Sequence, residues 1–282
     1  MSDMTVEQDI AAGRQFRLLS ALLDHDAAPW QPGAMPPLGH WLLFPPSARQ
    51  SLMGVDGHPL RDPNENPSPA EFPRRMWAGG RVTFLAPIAI GATIEKQTDT
   101  ARLQEKSGRS GRMVFKTLRH RLFCDGQLAI EEEQDLVYRE AAPVTPASAK
   151  PAPAADAAEP ATPPAYSSTA RALSIDTVEL MRFSALTFNA HRIHYDRDYA
   201  TQEEGYPDLV VHGPFIATML MDHFLRLNPQ ASVRSFSFRA QSPLFTGVRF
   251  TLDHAPDGEK RFELRAHQPD GTLAMQAFVE VE

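Results

Sequence analysis

"GPFIATMLMDHFLRL" (213–227), followed by "RSFSFRA" (234–240), "RFTLDHA" (249–255), "KRFELRAHQ" (260–268) and "TLAMQAFVEVE" (272–282), decides the fold class of the chain. The first stretch predicts a helix, because Ile216, Met219, Leu220, Phe224 and Leu227 recur at helical spacing on one face. Gly213 can cap it, and Pro214 sits at the first helical position, where a missing N–H costs nothing. The four later stretches alternate apolar and polar residues and read as strands. Asp257-Gly258 and Asp270-Gly271 supply turns between them, since a tight hairpin turn needs positive φ. One long helix followed by a run of antiparallel strands is an α+β plan in which a sheet can wrap a central helix.

Working outward, the same plan occurs earlier. "RVTFLAPIAIGATIEKQTDTARLQEK" (81–106) and "GRMVFKTLRHRLFCDGQLAIEEEQDLVYR" (111–139) read as strands, with Asp125-Gly126 as a hairpin turn. "APIAIG" (86–91) matches "SPLFTG" (242–247), and "DGQLA" (125–129) matches "DGTLA" (270–274), in the same order. A duplicated α+β unit is the economical reading. Between the copies lies "AAPVTPASAKPAPAADAAEPATPPAYSSTA" (141–170), where prolines fix φ and remove donors, as in a semi-extended spacer. The expected organisation is a first unit over 1–140, a linker over 141–170 and a second unit over 171–282. At the start, "VEQDIAAGRQFRLLSALL" (6–23) predicts one amphipathic helix with Ile10, Phe16, Leu19 and Leu22 or Leu23 on its buried face.

Composition limits the function classes. A hydrophobic share of 42% supports a real core, and a net charge of −7 disfavours a nucleic-acid binder, although a local basic patch could still take a polyanionic ligand. The lone Cys124 permits no internal disulfide and suits a reducing compartment. No apolar run approaches the roughly 20 residues of a membrane span, so the expected location is cytoplasmic, away from membranes.

The chemistry concentrates in "TFNAHRIHYDRDYA" (187–200) and "DLVVHGPF" (208–215). His191, His194 and His212 raise the idea of a metal, but no Cys or carboxylate joins them at familiar ligand spacing, so no metal is expected. A solvated polar loop is the bland alternative. A helix start beside such a loop offers unpaired N–H groups to an oxygen that gains negative charge, and since Pro214 has none, Gly213, Phe215 or Ile216 must donate.

"FSALTFNAHRIHYDRDYA" followed by "YPDLVVHGPF" resembles the signature of MaoC-like, R-specific enoyl-CoA hydratases. With "LGHWLLF" (38–44), "DGHPLRD" (56–62), "PRRMWAGGRVTF" (73–84) and "GRSGRMVF" (108–115), the pattern is similar to type-2 hydroxyacyl-thioester dehydratases and mesaconyl-C4-CoA hydratases. The resemblance covers nearly everything outside the linker. It implies a double hot-dog fold and reversible addition of water to an enoyl thioester, with CoA entering as part of the substrate and no other cofactor.

Laid on the family's Ser/Thr-Gly-Asp-x-Asn-Pro-x-His run, His194 takes the histidine place, while Asn189 stands where an aspartate is expected. Phe188, His191 and Arg192 replace the Gly, Asn and Pro. An amide cannot act as a general base, so the expectation is that His194 activates water, Asn189 orients it, and the backbone at Gly213 polarises the thioester carbonyl. Asp196 is expected to fix the loop.

For the acyl group, Arg192 is the first candidate to bind a free carboxylate, with Arg75 and Arg239 behind it. Arg74 and Arg81 are left to ion pairs. Trp77 lines the acyl pocket or belongs to the core, with Gly79 and Gly80 letting the backbone approach closely. Lys106, Arg109 and Arg112 could clamp CoA phosphate or form a solvated hairpin tip. His40, His58 and His120 are read as structural.

The expected reaction is hydration of mesaconyl-C4-CoA to citramalyl-CoA by a monomer or homodimer. Itaconyl-CoA hydration, a 3-hydroxyacyl-thioester dehydratase of fatty-acid synthesis, a thioesterase and a non-catalytic acyl-thioester-binding module are the alternatives.

Overall fold

The computed structural model describes residues 4–108, 111–140 and 170–282. In chain order the elements are β1 (Thr5–Ile10), α1 (Gly13–Leu22), β2 (Arg74–Phe84), β3 (Thr93–Gly108), β4 (Gly111–Cys124) and β5 (Gln127–Arg139). The second half contributes β6 (Arg171–Ser174), α2 (Thr177–Thr187), α3 (Gly213–Leu227), β7 (Val233–Ala240), β8 (Arg249–Pro256), β9 (Arg261–His267) and β10 (Leu273–Val281).

All ten strands form one antiparallel sheet in the order β1-β3-β4-β5-β2-β7-β10-β9-β8-β6. Read from either edge inward, the two halves present the same sequence of strands, as the repeated motifs predict. Asp125 and Gly126 form the β4–β5 turn with φ of 50° and 78°, the positive values a type I′ hairpin requires.

The halves meet where β2 pairs with β7, from Gly79 opposite Arg239 to Thr83 opposite Ser235. A Cβ on Gly79 would lie 2.5 Å from the Phe238 carbonyl oxygen, and one on Gly80 would lie 2.8 Å from that of Glu133. Gly79 therefore serves the seam between halves, and Gly80 lets β2 approach β5 closely.

α3 lies against the sheet, contacting β8, β9 and β10. Every residue from Phe215 to Leu225 is buried, so the helix is enclosed on all sides, while Leu227, expected on the buried face, is exposed. Its buried Asp222 is held by His25 at 2.6 Å and Arg226 at 2.8 Å, and Arg226 also donates to the Leu23 carbonyl. Since His25 and Leu23 belong to the first half, this cluster ties the halves together behind the sheet.

The duplication is incomplete. Between α1 and β2, where a copy of α3 would fall, residues 23–73 run as loops with short 3-10 turns at Gly39–Leu42 and Gln50–Leu52. The chain start also differs from expectation: residues 6–10 are not helical but belong to β1, which pairs along β3 from Thr5↔Thr98 to Ile10↔Thr93. β-branched Thr5, Val6 and Ile10 suit a strand, and an open sheet edge offered them partners that periodicity alone does not reveal. Only 13–22 forms the helix, burying Phe16, Leu19 and Leu22.

Candidate active site

α2 starts on a capping box, in which the Asp176 carboxylate accepts from the Val178 and Glu179 N–H groups and Glu179 reaches back to the Asp176 N–H. It stops at Phe188, which adopts φ 51°, and the chain turns into the histidine loop. Asn189 Oδ1 accepts from the His191 N–H at 2.9 Å, an Asx turn that engages one of its lone pairs and leaves the amide NH2 free to donate.

The loop is braced from the first half. Arg192 N–H donates to the Asp56 carbonyl (2.8 Å), and a Cβ on Gly57 (φ 88°) would stand 1.8 Å from the Ala190 carbonyl oxygen. Only glycine permits that approach, so "GVDGHPL" (54–60) docks directly on the histidine loop.

His194 follows on a 3-10 turn and is buried. Its Nδ1 lies 2.7 Å from the Val210 carbonyl oxygen, which can only accept. The proton therefore resides on Nδ1, and Nε2 keeps its lone pair. Burial pushes the imidazole down to about 4, so the ring is neutral at pH 7. His212 stacks on it with ring centroids 3.6 Å apart, shares a hydrogen bond from Nε2 to Ser184 Oγ (2.9 Å), and is held well below its usual range by burial and by His194 and His191.

His212 is also the N-cap of α3, so Gly213 and Pro214 are the first two helical positions and the helix starts one residue earlier than a cap at Gly213 implies. The Ile216 N–H is spent on the His212 carbonyl, which leaves Gly213 and Phe215 as the N–H groups without an intrahelical acceptor. A bulge in β2 between Trp77 and Gly79 brings the Trp77 carbonyl 3.9 Å from a Cβ placed on Gly213. The Trp77 indole donates to the Gly79 carbonyl and packs edge-on against Trp41 (5.1 Å) and Phe238 (5.8 Å).

Asp56 and His58 are the residues that sequence reasoning missed. His58 Nδ1 lies 2.9 Å from Asp56 Oδ2, and its ring is 4.1 Å from that of His191, which is 5.5 Å from His194. Burial pushes the Asp56 carboxyl up, but the side-chain and backbone hydrogen bonds from His58 outweigh it and hold it at about 2. His191 is pushed down to about 3, by burial first and then by the charges of His58, His194, and Arg75. His58, expected to be structural, thus faces the histidine loop. His40, at 3.3 Å from buried Glu132, and His120, bonded to Thr98, do stay in the interior.

Among the described residues, Asp56, His58 and His191 form the grouping whose donor atoms, within 4.8 Å of one another, could reach a common cation. The Asp56–His58 hydrogen bond already satisfies two of those donors without one.

The arginines divide sharply. Arg192 is committed to Asp196 (2.7 Å) and the Val55 carbonyl (3.0 Å) and lies over the Tyr199 ring, so its fork is occupied. Asp196 fixes the loop, as expected, accepting also from the Tyr199 N–H. Arg74 pairs with Glu204, and Arg81 with Glu133 and Asp135. Arg75 is half-buried and close enough to depress His191, and no carboxylate among the described residues pairs with it. Arg239 is exposed at the seam, opposite Gly79.

Of the basic hairpin, Arg112 is surrounded by Glu105, Glu71 and Glu140, and Lys106 lies over Phe115. Arg109 lies outside the described residues, as do 141–169. The Cys124 thiol is pushed up by burial and by Asp125, which makes it a poor nucleophile.

A neutral histidine with a free lone pair, set beside unpaired helix-start N–H groups, can move a proton to or from water while a carbonyl is polarised. The family model described as hydroxyacyl-thioester dehydratase type 2 matches residues 38–246, which span the aromatic wall, the Asp56–His58 loop and the histidine loop. The chain belongs to the type-2 hydroxyacyl-thioester dehydratases. Within this dehydratase family it is 43% identical to mesaconyl-C(4)-CoA hydratase of Chloroflexus aurantiacus, over 98% of this chain and 94% of that one. The double hot-dog fold is shared with HtdX of Mycobacterium tuberculosis (TM-score 0.67, 17% identity, 99% of this chain and 100% of that one). A second M. tuberculosis protein, described as having a double hotdog fold, aligns over 100% of the dehydratase chain and 97% of its own at TM-score 0.58 and 13% identity.

Proposed function

We propose that this hydro-lyase adds water to mesaconyl-C4-CoA, giving citramalyl-CoA. The observation that carries the reading is the neutral His194, its Nδ1 tied to Val210, beside the start of α3, in a chain so similar over its length to a mesaconyl-C(4)-CoA hydratase. In the forward direction, water oxygen bonds to Cβ and its proton passes to His194 Nε2. The π electrons move toward the thioester carbonyl, whose growing negative charge is met by the Gly213 and Phe215 N–H groups. The Asn189 amide donates to the water and aims it.

The dicarboxylic acyl group needs a cation for its free end. Arg75 supports that role better than Arg192 or Arg239, being both unpaired and near His191. Trp77, Trp41 and Phe238 form the apolar wall. For the CoA phosphates the register is suggestive: Lys106 pairs across to Met113, Met113 to Arg139, and Arg139 to Arg74. The hairpin end therefore lies at the same end of the strands as Arg74, about 14 Å away at one strand spacing per step, while Arg75, one residue on, faces the other side of the sheet.

Incubation of the purified chain with mesaconyl-C4-CoA, itaconyl-CoA and crotonyl-CoA in separate reactions, read by mass spectrometry, tests the proposal. Gain of one water on the mesaconyl thioester is expected. Gain on crotonyl-CoA alone would move the reaction to fatty-acyl substrates, and release of free CoA thiol would indicate a thioesterase.

A further inference from the structure

Hydration has two proton jobs: taking one from the water that attacks Cβ and giving one to Cα. In the family pattern a carboxylate and a histidine share them within one half. Here the carboxylate position holds Asn189, an amide whose carbonyl accepts from the His191 N–H. Its remaining NH2 is a donor without basicity. A carboxylate–histidine pair nevertheless stands at the site, and it arrives from the other half of the chain.

Asp56 accepts from the His58 backbone N–H (3.0 Å) and lies 2.9 Å from His58 Nδ1. That leaves His58 Nε2 without a protein partner among the described residues. The pair is locked in place by Gly57 against Ala190 and by the Asp56 carbonyl on the Arg192 N–H. The imidazoles then run His58, His191, His194, His212, with successive ring centroids at 4.1, 5.5 and 3.6 Å. The charged and titratable groups facing His58 are Asp56 on its own loop and His191 and His194 on the opposing loop, with Arg75 of β2 behind His191.

We propose that His58, oriented by Asp56, is the second acid–base group of the reaction, so that one active site is assembled from both halves of the chain. The C–O bond forms at Cβ as the water proton moves to His194 Nε2, and the C=C π bond breaks. The electron pair left at Cα then takes a proton from His58 Nε2, forming the C–H bond. His58 ends neutral and His194 protonated, and the proton returns to His58 through His191 or solvent. No external reactant beyond water is consumed. His58 is the catalytic residue in this scheme and Asp56 its positioning residue.

The inference rests on the enoyl-CoA hydratase reading, and the experiment separates the two. With the full-length chain and mesaconyl-C4-CoA, His58→Gln is expected to lower kcat by about 10²-fold or more while KM moves by less than about threefold. Asp56→Asn, which preserves size and the loop turn, is expected to lower kcat by about tenfold or more and to displace the alkaline limb of the kcat profile, the limb a general acid sets. In D2O with citramalyl-CoA, exchange of the Cα hydrogen should persist in His194→Gln, where water cannot leave, and disappear in His58→Gln. A purely structural role for His58 predicts no such split.

Wild-type turnover with both first-half variants within about threefold of it overturns the inference alone. Failure of the wild-type chain on mesaconyl-C4-CoA and crotonyl-CoA overturns the hydratase reading with it. If His58→Gln fails to fold, Asp56→Asn and the exchange assay decide. Loss of wild-type activity on EDTA, restored by Zn²⁺, would make Asp56, His58 and His191 cation ligands and also overturn the scheme.

Discussion

His194 and His212 lie face to face, with ring centroids 3.6 Å apart and planes 20° from parallel. Two imidazoles so close, both buried, cannot both carry charge, and each is held neutral by its surroundings. One hydrogen-bonds a carbonyl and the other a hydroxyl, so the stack fixes which nitrogen of His194 is free. Replacing His194 with Gln keeps the size and removes the base. We expect kcat to fall by about 10³-fold with substrate binding retained, measured by steady-state hydration and by thioester binding to the variant.

The same buried imidazoles set the acid response of the fold. His194 and His223 are depressed to about 4 and His191 to about 3, each chiefly by burial, against about 6.5 in the unfolded chain. Between those values the unfolded state binds more protons, so stability rises with pH across the window and is progressively lost as pH falls from about 6.5 toward 4. Urea midpoints across pH 4–8 should decline below about 6.5, well above the range where carboxylates protonate. A midpoint flat down to pH 4.5 would contradict the burial of these rings.

Asp222 is 3% exposed and ties α3 to His25 while pairing with Arg226 one turn on. Asp222→Ala strands a buried histidine and an arginine that also reaches Leu23. The expected cost is about 3–5 kcal/mol in equilibrium unfolding.

Two glycine-to-alanine changes separate docking from turn strain. Gly57→Ala puts a methyl 1.8 Å from the Ala190 carbonyl, whereas Gly126→Ala, at φ 78°, meets nothing within 4 Å. The second should cost about 1 kcal/mol of stability with kcat intact, from backbone conformation alone. The first should lower kcat as well, because the Asp56–His58 loop must lift off the histidine loop.

Arg75→Gln should raise KM for mesaconyl-C4-CoA by about tenfold or more, matching the loss of a charge-assisted contact of about 1.5–3 kcal/mol, and leave crotonyl-CoA unaffected. Arg192→Gln should instead lower the unfolding midpoint, since that guanidinium holds the loop through Asp196 and Val55. Equal effects of Arg75→Gln on both substrates would remove it from carboxylate recognition.

Much of this was legible before any coordinates. Period-two alternation and three Asp-Gly pairs mark the strands and turns of both halves, and "GPFIATMLMDHFLRL" marks α3 with its cap one residue off. The histidine loop and the helix start stand out by local pattern because they are neighbours in sequence, and the roles expected of His194 and Asn189 came with the family resemblance. Asp56 and His58 do not stand out by local pattern, since they lie more than 130 positions from His194 and meet it only through a tertiary loop contact. "VEQDI" continues the helical periodicity of 13–22 yet forms a strand, because its partner is the open edge of β3, which no local window contains. Arg192 drew attention by position, and only the structure shows that its donors are already engaged.

The missing copy of α3 in the first half changes what the duplication can achieve. Two identical units related by a two-fold axis must place every device twice, so a loop cannot be reshaped on one side without reshaping the other. Joined in one chain, the copies are free to diverge. Residues 23–73, which form no central helix, instead carry Trp41, Asp56 and His58 against the second half. The molecule has traded symmetry for a division of labour.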